Sequence, residues 1–176
     1  MLLNLRELHG THERVARHYA PAAFVHEPGD DYVMADEVAL ALDVVKDRDK
    51  YHLSGTLRTA VRLECCRCLE SFAIPVDVDV DLLYLPFSAN AGEGELEVEE
   101  DDLSTAYYRE DQIDLGQLVR EQIQLTLPMK PLCRQDCRGL CPECGVNLNL
   151  QTCRCQPRWA DPRLDALKAL TDKRVQ

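Results

Sequence analysis

Apolar residues recur at every second position through much of the first half of the chain. Val38, Leu40, Leu42 and Val44 alternate with other residues, the spacing of a strand buried on one face. The charged run Asp47-Arg48-Asp49-Lys50 makes a turn, and Tyr51, Leu53, Gly55, Leu57, Thr59, Val61 and Leu63 continue the alternation on a second strand. Beyond Cys65–Cys68 a third follows. Its Ile74, Val76, Val78, Val80 and Leu82 alternate with Asp77, Asp79 and Asp81, giving one apolar face and one acidic face. Short links cannot make parallel crossovers, so these strands read as an antiparallel meander. Ahead of them, Leu2–Leu8 reads as a strand and Thr11–Tyr19 as a short helix.

The period then changes. Asp114 is a suitable N-cap, Gln117 completes a capping-box pattern, and Leu115, Leu118, Val119 and Ile123 form one helical stripe over 114–127. Pro128 and Pro131 end that helix. A last helix is expected from Asp161-Pro162, with Leu164, Leu167 and Leu170 on one face. Between the third strand and the first helix, Ser88–Asp102 carries Gly92, Gly94, Glu93, Glu95, Glu97, Glu99, Glu100, Asp101 and Asp102. Such self-repelling, apolar-poor sequence reads as a solvated loop, and no EF-hand spacing supports calcium there. The fold class expected is α+β: an antiparallel β-meander sheet with a capping helix and a C-terminal cysteine-rich zinc-knuckle segment ending in a short helix. Residues 1–127 would form an acidic β-rich core domain and 128–176 a cysteine-rich metal-binding segment.

Charge follows the same division. The chain of 176 residues carries a net −11, split as −15 over residues 1–127 and +4 over 128–176. An acidic surface disfavours indiscriminate binding to nucleic acid, although a local basic contact remains open to it. No run approaches the roughly 20 apolar residues that span a bilayer, and Arg6 and Glu7 interrupt any secretory core. The expected location is cytoplasmic, with no membrane partner.

Location decides how the nine cysteines are read. In a reducing compartment, with an odd count, structural disulfides give way to metal ligation. Cys133, Cys137, Cys141, Cys144, Cys153 and Cys155 crowd into one segment, and Cys141-Pro142-Glu143-Cys144-Gly145 has the form of a zinc knuckle. Two intervening residues bring both sulfurs to one cation, and Gly145 lets backbone N–H groups turn toward sulfur. Cys153 and Cys155 could close that site. Cys65 and Cys68 repeat the spacing upstream, and with Cys133 and Cys137 could form a second site tying the sheet to the C-terminal segment, leaving Cys66 a bystander. Alternatively, one ion could draw on Cys65/Cys68 and Cys141/Cys144. Zinc is the expected cofactor, though spacing alone does not separate it from iron.

Other chemistries find less support. The redox reading of Cys65-x-x-Cys68 wants a strand–helix context, and here strands flank it. A catalytic zinc keeps an open position and commonly uses histidine, yet His9, His12, His18, His26 and His52 lie far in sequence from the main cluster. No phosphate-binding glycine loop, H-E-x-x-H or nucleophile–base motif is present, and no small-molecule substrate suggests itself. The expectation is a protein that is not an enzyme, with a thiol-redox or zinc-release sensor as the alternative. Each zinc on four thiolates carries about −2, so two would cancel the +4 of the C-terminal segment. Any basic contact would therefore rest on the placement of Arg134, Arg138, Arg154, Arg158 and Arg163. Trp159 could stack on a nucleobase or serve in packing.

Leu63-Glu64-Cys65-Cys66-Arg67-Cys68-Leu69 follows a strand, and the acidic loop and helix lead into Leu127-Pro128-Met129-Lys130-Pro131-Leu132-Cys133. Then come Asp136-Cys137-Arg138-Gly139-Leu140-Cys141-Pro142-Glu143-Cys144-Gly145-Val146-Asn147-Leu148-Asn149, Cys153-Arg154-Cys155 and Asp161-Pro162-Arg163-Leu164. In these residues the chain resembles the YceD family, the large ribosomal RNA subunit accumulation proteins, loosely before Leu53 and closely after Gln112. The resemblance implies a role in accumulating or processing large-subunit ribosomal RNA and a genomic association with a large-subunit ribosomal protein; the partner expected is that RNA or such a protein. It implies no known reaction. Some family members lack most of the C-terminal cysteines, so the metal would support folding in this branch.

Overall fold

Alternating sequence becomes a twisted sheet because each strand can bury one side and hydrate the other. The computed structural model describes residues 1–8, 10–26, 29–87 and 104–155. In chain order the elements are β1 (Leu2–Asn4), a 3-10 turn (Leu5–Glu7), β2 (His12–Tyr19), a second 3-10 turn (Pro21–Ala23) and β3 (Val33–Met34). There follow β4 (Val38–Asp47), β5 (Lys50–Glu64), β6 (Ser71–Pro86), β7 (Thr105–Tyr108), β8 (Gln112–Asp114) and α1 (Leu115–Thr126). The chain divides into two compact units: Met1–Cys65 with Glu70–Cys133, and Cys66–Leu69 with Arg134–Gln176, the latter described as far as Cys155.

In the first unit, six strands form a sheet ordered β2-β4-β5-β6-β7, with β3 joining β5 beyond the end of β4. The β5–β6 pairing is the longest, running from Tyr51↔Tyr84 to Glu64↔Ser71. Its inner face presents Leu53, Leu57, Val61, Val76 and Val80, all buried. Its outer face presents Asp77, Asp79 and Asp81, all exposed. Arg58 reaches Asp77 at 3.1 Å, and His52 meets Asp81 across the β5–β6 pair. Gly55 is obligatory for a different reason: a Cβ there would stand 2.0 Å from the Ala41 carbonyl oxygen of β4.

Helix α1 contributes Leu115, Leu118, Val119 and Ile123 to this core, each side chain supplying about 2 kcal/mol by burial. Asp114 caps it by accepting from the N–H groups of Gly116 (2.8 Å) and Gln117 (3.3 Å). No bond from the Asp114 N–H to the Gln117 side chain completes the capping box among the described residues; the Gln117 amide donates to Glu121 at 2.7 Å. Arg120 on the same helix pairs with the shielded carboxylate of Asp30 at 3.2 Å and donates to the Val25 carbonyl at 2.7 Å. Those contacts hold the loop before β3 against the helix.

Three expectations need correction. Residues 12–19 are a strand, not a helix: β2 lies antiparallel along β4 from His12↔Val45 to Tyr19↔Val38. The Leu2–Leu8 strand stops at Asn4, whose side chain caps the 3-10 turn by accepting from the Arg6 N–H. The sheet is not wholly antiparallel, since β7 runs parallel to β6 from Leu83↔Thr105 to Pro86↔Tyr108. Its connection, residues 87–104, is long enough for the crossover that short links forbid. The expected acidic loop Ser88–Asp102, His9, Trp159 and the helix from Asp161 lie outside the described residues.

Candidate metal centre

The second unit has no helix or named strand among its described residues. Turns and polar links shape it. Cys141 donates its N–H to the Val146 carbonyl and accepts from the Gly145 N–H, both at 2.9 Å. Gly145 has φ +72, the left-handed geometry that closes this knuckle without a Cβ penalty. An isolated bridge joins Leu140 to Asn147, and Leu148 donates to the Gly139 carbonyl at 2.9 Å.

Eight cysteines form two groups. Cys65, Cys68, Cys133 and Cys137 make one, and Cys141, Cys144, Cys153 and Cys155 the other, with the sulfurs of each group all within 4.8 Å of one another. A tetrahedral ion with bonds of about 2.3 Å separates its sulfurs by about 3.8 Å, so both groups fit such an ion with little adjustment. The mixed set of Cys65/Cys68 with Cys141/Cys144 is not the one formed. Cys66 lies outside both groups and is exposed.

The donor set also has the chemistry a cation needs. In the second group, backbone N–H groups of Cys144 and Glu143 point at the Cys141 sulfur and draw its thiol down to about 6. The opposite happens at Cys155, whose thiol is pushed up because it hydrogen-bonds to the Cys144 sulfur and faces other sulfurs. Four sulfurs this close cannot all ionise unless a positive charge sits among them. These residues would hold a thiophilic ion such as zinc; among the described residues no histidine or carboxylate joins either group.

The two groups differ in shelter. Cys65, Cys68 and Cys137 are buried, with Cys133 half-buried. In the second group only Cys141 is buried, Cys153 is half-buried, and Cys144 and Cys155 are exposed.

Asn149 holds the two groups' loops together, a role its place in the motif does not announce. Its side-chain amide donates to the Cys137 sulfur at 3.3 Å and to the Asn147 side chain at 2.9 Å. Its carbonyl oxygen accepts from the Arg138 N–H at 2.8 Å and from the Arg134 guanidinium at 2.7 Å. One side chain thus ties the loop of the first group to the second knuckle. The only signal in sequence is Asn147-Leu148-Asn149, a pair of residues prone to capping their own loops.

Of the arginines considered for RNA, Arg134, Arg138 and Arg154 are exposed, and Arg134 is occupied by Asn149 and by Asp136 at 3.5 Å. Arg158 and Arg163 lie outside the described residues. In the first unit a groove of about 920 Å³ runs past Tyr32, Leu63, Leu127, Pro128 and Met129. No helix among the described residues is long and apolar enough to cross a membrane.

Residues 53–171 match the family described as large ribosomal RNA subunit accumulation protein YceD. The chain belongs to the YceD family. An uncharacterised protein of Mycobacterium bovis is 33% identical over 146 residues, covering 77% of this chain and 68% of that one. A maize relative named YCED homolog 1, chloroplastic, is 29% identical and covers 69% of this chain and 49% of its own length. Its Arabidopsis thaliana counterpart is also 29% identical, over 83% and 52%. This YceD chain thus spans about half the length of the plant relatives it matches. No solved structure matches it.

Proposed function

We propose that this YceD chain is a non-enzymatic, zinc-binding factor in the accumulation of large-subunit ribosomal RNA, and that it acts by holding a basic large-subunit ribosomal protein. The observation that carries this reading is that the family match, residues 53–171, takes in all eight grouped cysteines. Each cysteine group would bind one zinc and so fix loops that have too little apolar surface to fold by burial.

Charge supports a protein rather than RNA as the direct partner. Two four-thiolate zinc sites add four negative charges to a chain already at −11. The outer face of β6 adds a row of exposed aspartates, and the arginines nearest the clusters are few and partly engaged. Such a surface attracts a cationic protein and repels a polyanion. RNA contact through Arg134, Arg138, Arg154, Arg158 and Arg163 is the weaker alternative.

The test has two arms. Cells lacking the protein should show a reduced ratio of large- to small-subunit ribosomal RNA; an unchanged ratio removes the ribosomal role. Purified chain should bind basic large-subunit ribosomal proteins with an affinity that falls steeply with salt. Tight binding to naked ribosomal RNA, with none to those proteins, would reverse the choice of partner.

A further inference from the structure

From the unequal shelter of the two cysteine groups, we propose that Cys144 and Cys155 form an oxidation site for small hydroperoxides, at which a disulfide forms and the second group gives up its metal while the first keeps its own. The proposal rests on the reading that each group binds an ion. It adds a modification site and a regulation to that reading.

Geometry separates the groups by shelter and by hydrogen bonding. Cys144 and Cys155 are the exposed members of the second group, so an oxidant reaches both sulfurs from solvent. They lie eleven positions apart in sequence, yet their sulfurs stand within 4.8 Å of each other, so the sulfur-to-sulfur step needs little movement. The first group has its sulfurs as close together, but sheltered. Three of its four cysteines are buried, and the Cys137 sulfur accepts a hydrogen bond from Asn149, which lowers its nucleophilicity.

The chemistry balances without further partners. The Cys144 thiolate attacks the terminal oxygen of the hydroperoxide, breaking its O–O bond to leave a sulfenic acid and, after protonation, water or an alcohol. The Cys155 thiolate then attacks the sulfenic sulfur and expels hydroxide, which takes up a proton. Two thiolates lose two electrons in all, and the O–O bond gains them. Cys141 and Cys153 alone cannot close a tetrahedral site, so the ion departs hydrated. A thiol reductant reverses the modification. Cys66 is exposed as well but belongs to neither group.

The experiment uses reduced, zinc-loaded full-length chain with its metal content measured beforehand. Dilute hydrogen peroxide is added with a chromogenic zinc chelator, and thiols are then mapped by alkylation and peptide mass spectrometry. The expected result is one of two zinc equivalents released about tenfold faster than the other, together with a Cys144–Cys155 disulfide. Dithiothreitol with added zinc should restore both. Fewer than two zincs at the start would overturn the underlying metal reading. Two zincs at the start, followed by release of both together, by release of neither, or by a disulfide elsewhere, would overturn this proposal and leave that reading standing.

Discussion

Arg67 and Cys137 are bound to each other across seventy positions of sequence: the Arg67 guanidinium donates to the Cys137 carbonyl at 2.9 Å. The same arginine offers its own carbonyl to the Leu140 N–H at 3.1 Å. Gly139, at φ +74, lies between these two anchor points, and a Cβ there would approach the Arg67 carbonyl oxygen to 3.0 Å. One residue of the upstream knuckle therefore positions the loop that carries a cysteine of the first group and leads into the second.

Replacing Arg67 with Met keeps the stem and removes the donors. Zinc affinity at the first group should fall about tenfold, as when other partners that orient metal ligands are lost. Competition with a chelator of known affinity measures it, and an unchanged constant would show the contact to be incidental.

Metal content should separate the groups cleanly. Purified chain should carry two zincs by elemental analysis; Cys137→Ser should leave the second site filled and Cys141→Ser the first. Stripping both should abolish amide protection at Cys141, Gly145 and Leu148 while sparing the β5–β6 ladder.

Glycine positions give a contrast in size. Gly55→Ala should cost about 3 kcal/mol, because its Cβ meets backbone of the neighbouring strand and cannot be relieved by a rotamer change. Gly139→Ala should cost about 1–2 kcal/mol through left-handed strain. Urea midpoints for both variants decide the matter.

The helix cap should show in the pH dependence of stability. Burial pushes the Asp114 carboxyl up, but the N–H groups of Gly116 and Gln117 and the terminal amine outweigh it, so folding lowers its pKa. The unfolded chain then binds the proton first. Stability from this group is complete above the ordinary aspartate value of ~3.9 and is lost as pH falls through the lower folded value. Asp114→Ala should cost about 1 kcal/mol at neutral pH, with the gap to wild type closing in acid.

Period-two sequence made β4, β5 and β6 readable, because in each strand alternate side chains turn toward the core, fully buried in β4 and buried or half-buried in β5 and β6. Strand β2 was not readable. Of His12–Tyr19 only Val15 is buried, and its neighbours two positions away, Glu13 and Arg17, are charged, so the residues lack a two-fold apolar signature. Its identity comes from β4, whose open side it pairs along. Strand β7 is equally hidden, being four residues placed by a parallel pairing that no local pattern announces. For the cysteines, spacing marks them as ligands but leaves their partition open. What divides them is the chain path, together with Arg67 and Asn149, whose roles lie in backbone and sulfur contacts that no spacing rule contains.

Beyond its short pairing with β7 at Leu83–Pro86, β6 meets no other strand on that side among the described residues. A bare edge invites a second copy of itself. Pro75 denies the invader one N–H, and Asp77, Asp79 and Asp81 would meet their own kind at every second position of such a pairing. A cationic strand would meet no such repulsion. With the proposed partner, the acidity of β6 would work as a filter on company, disfavouring self-association by the same charges that would welcome a basic protein.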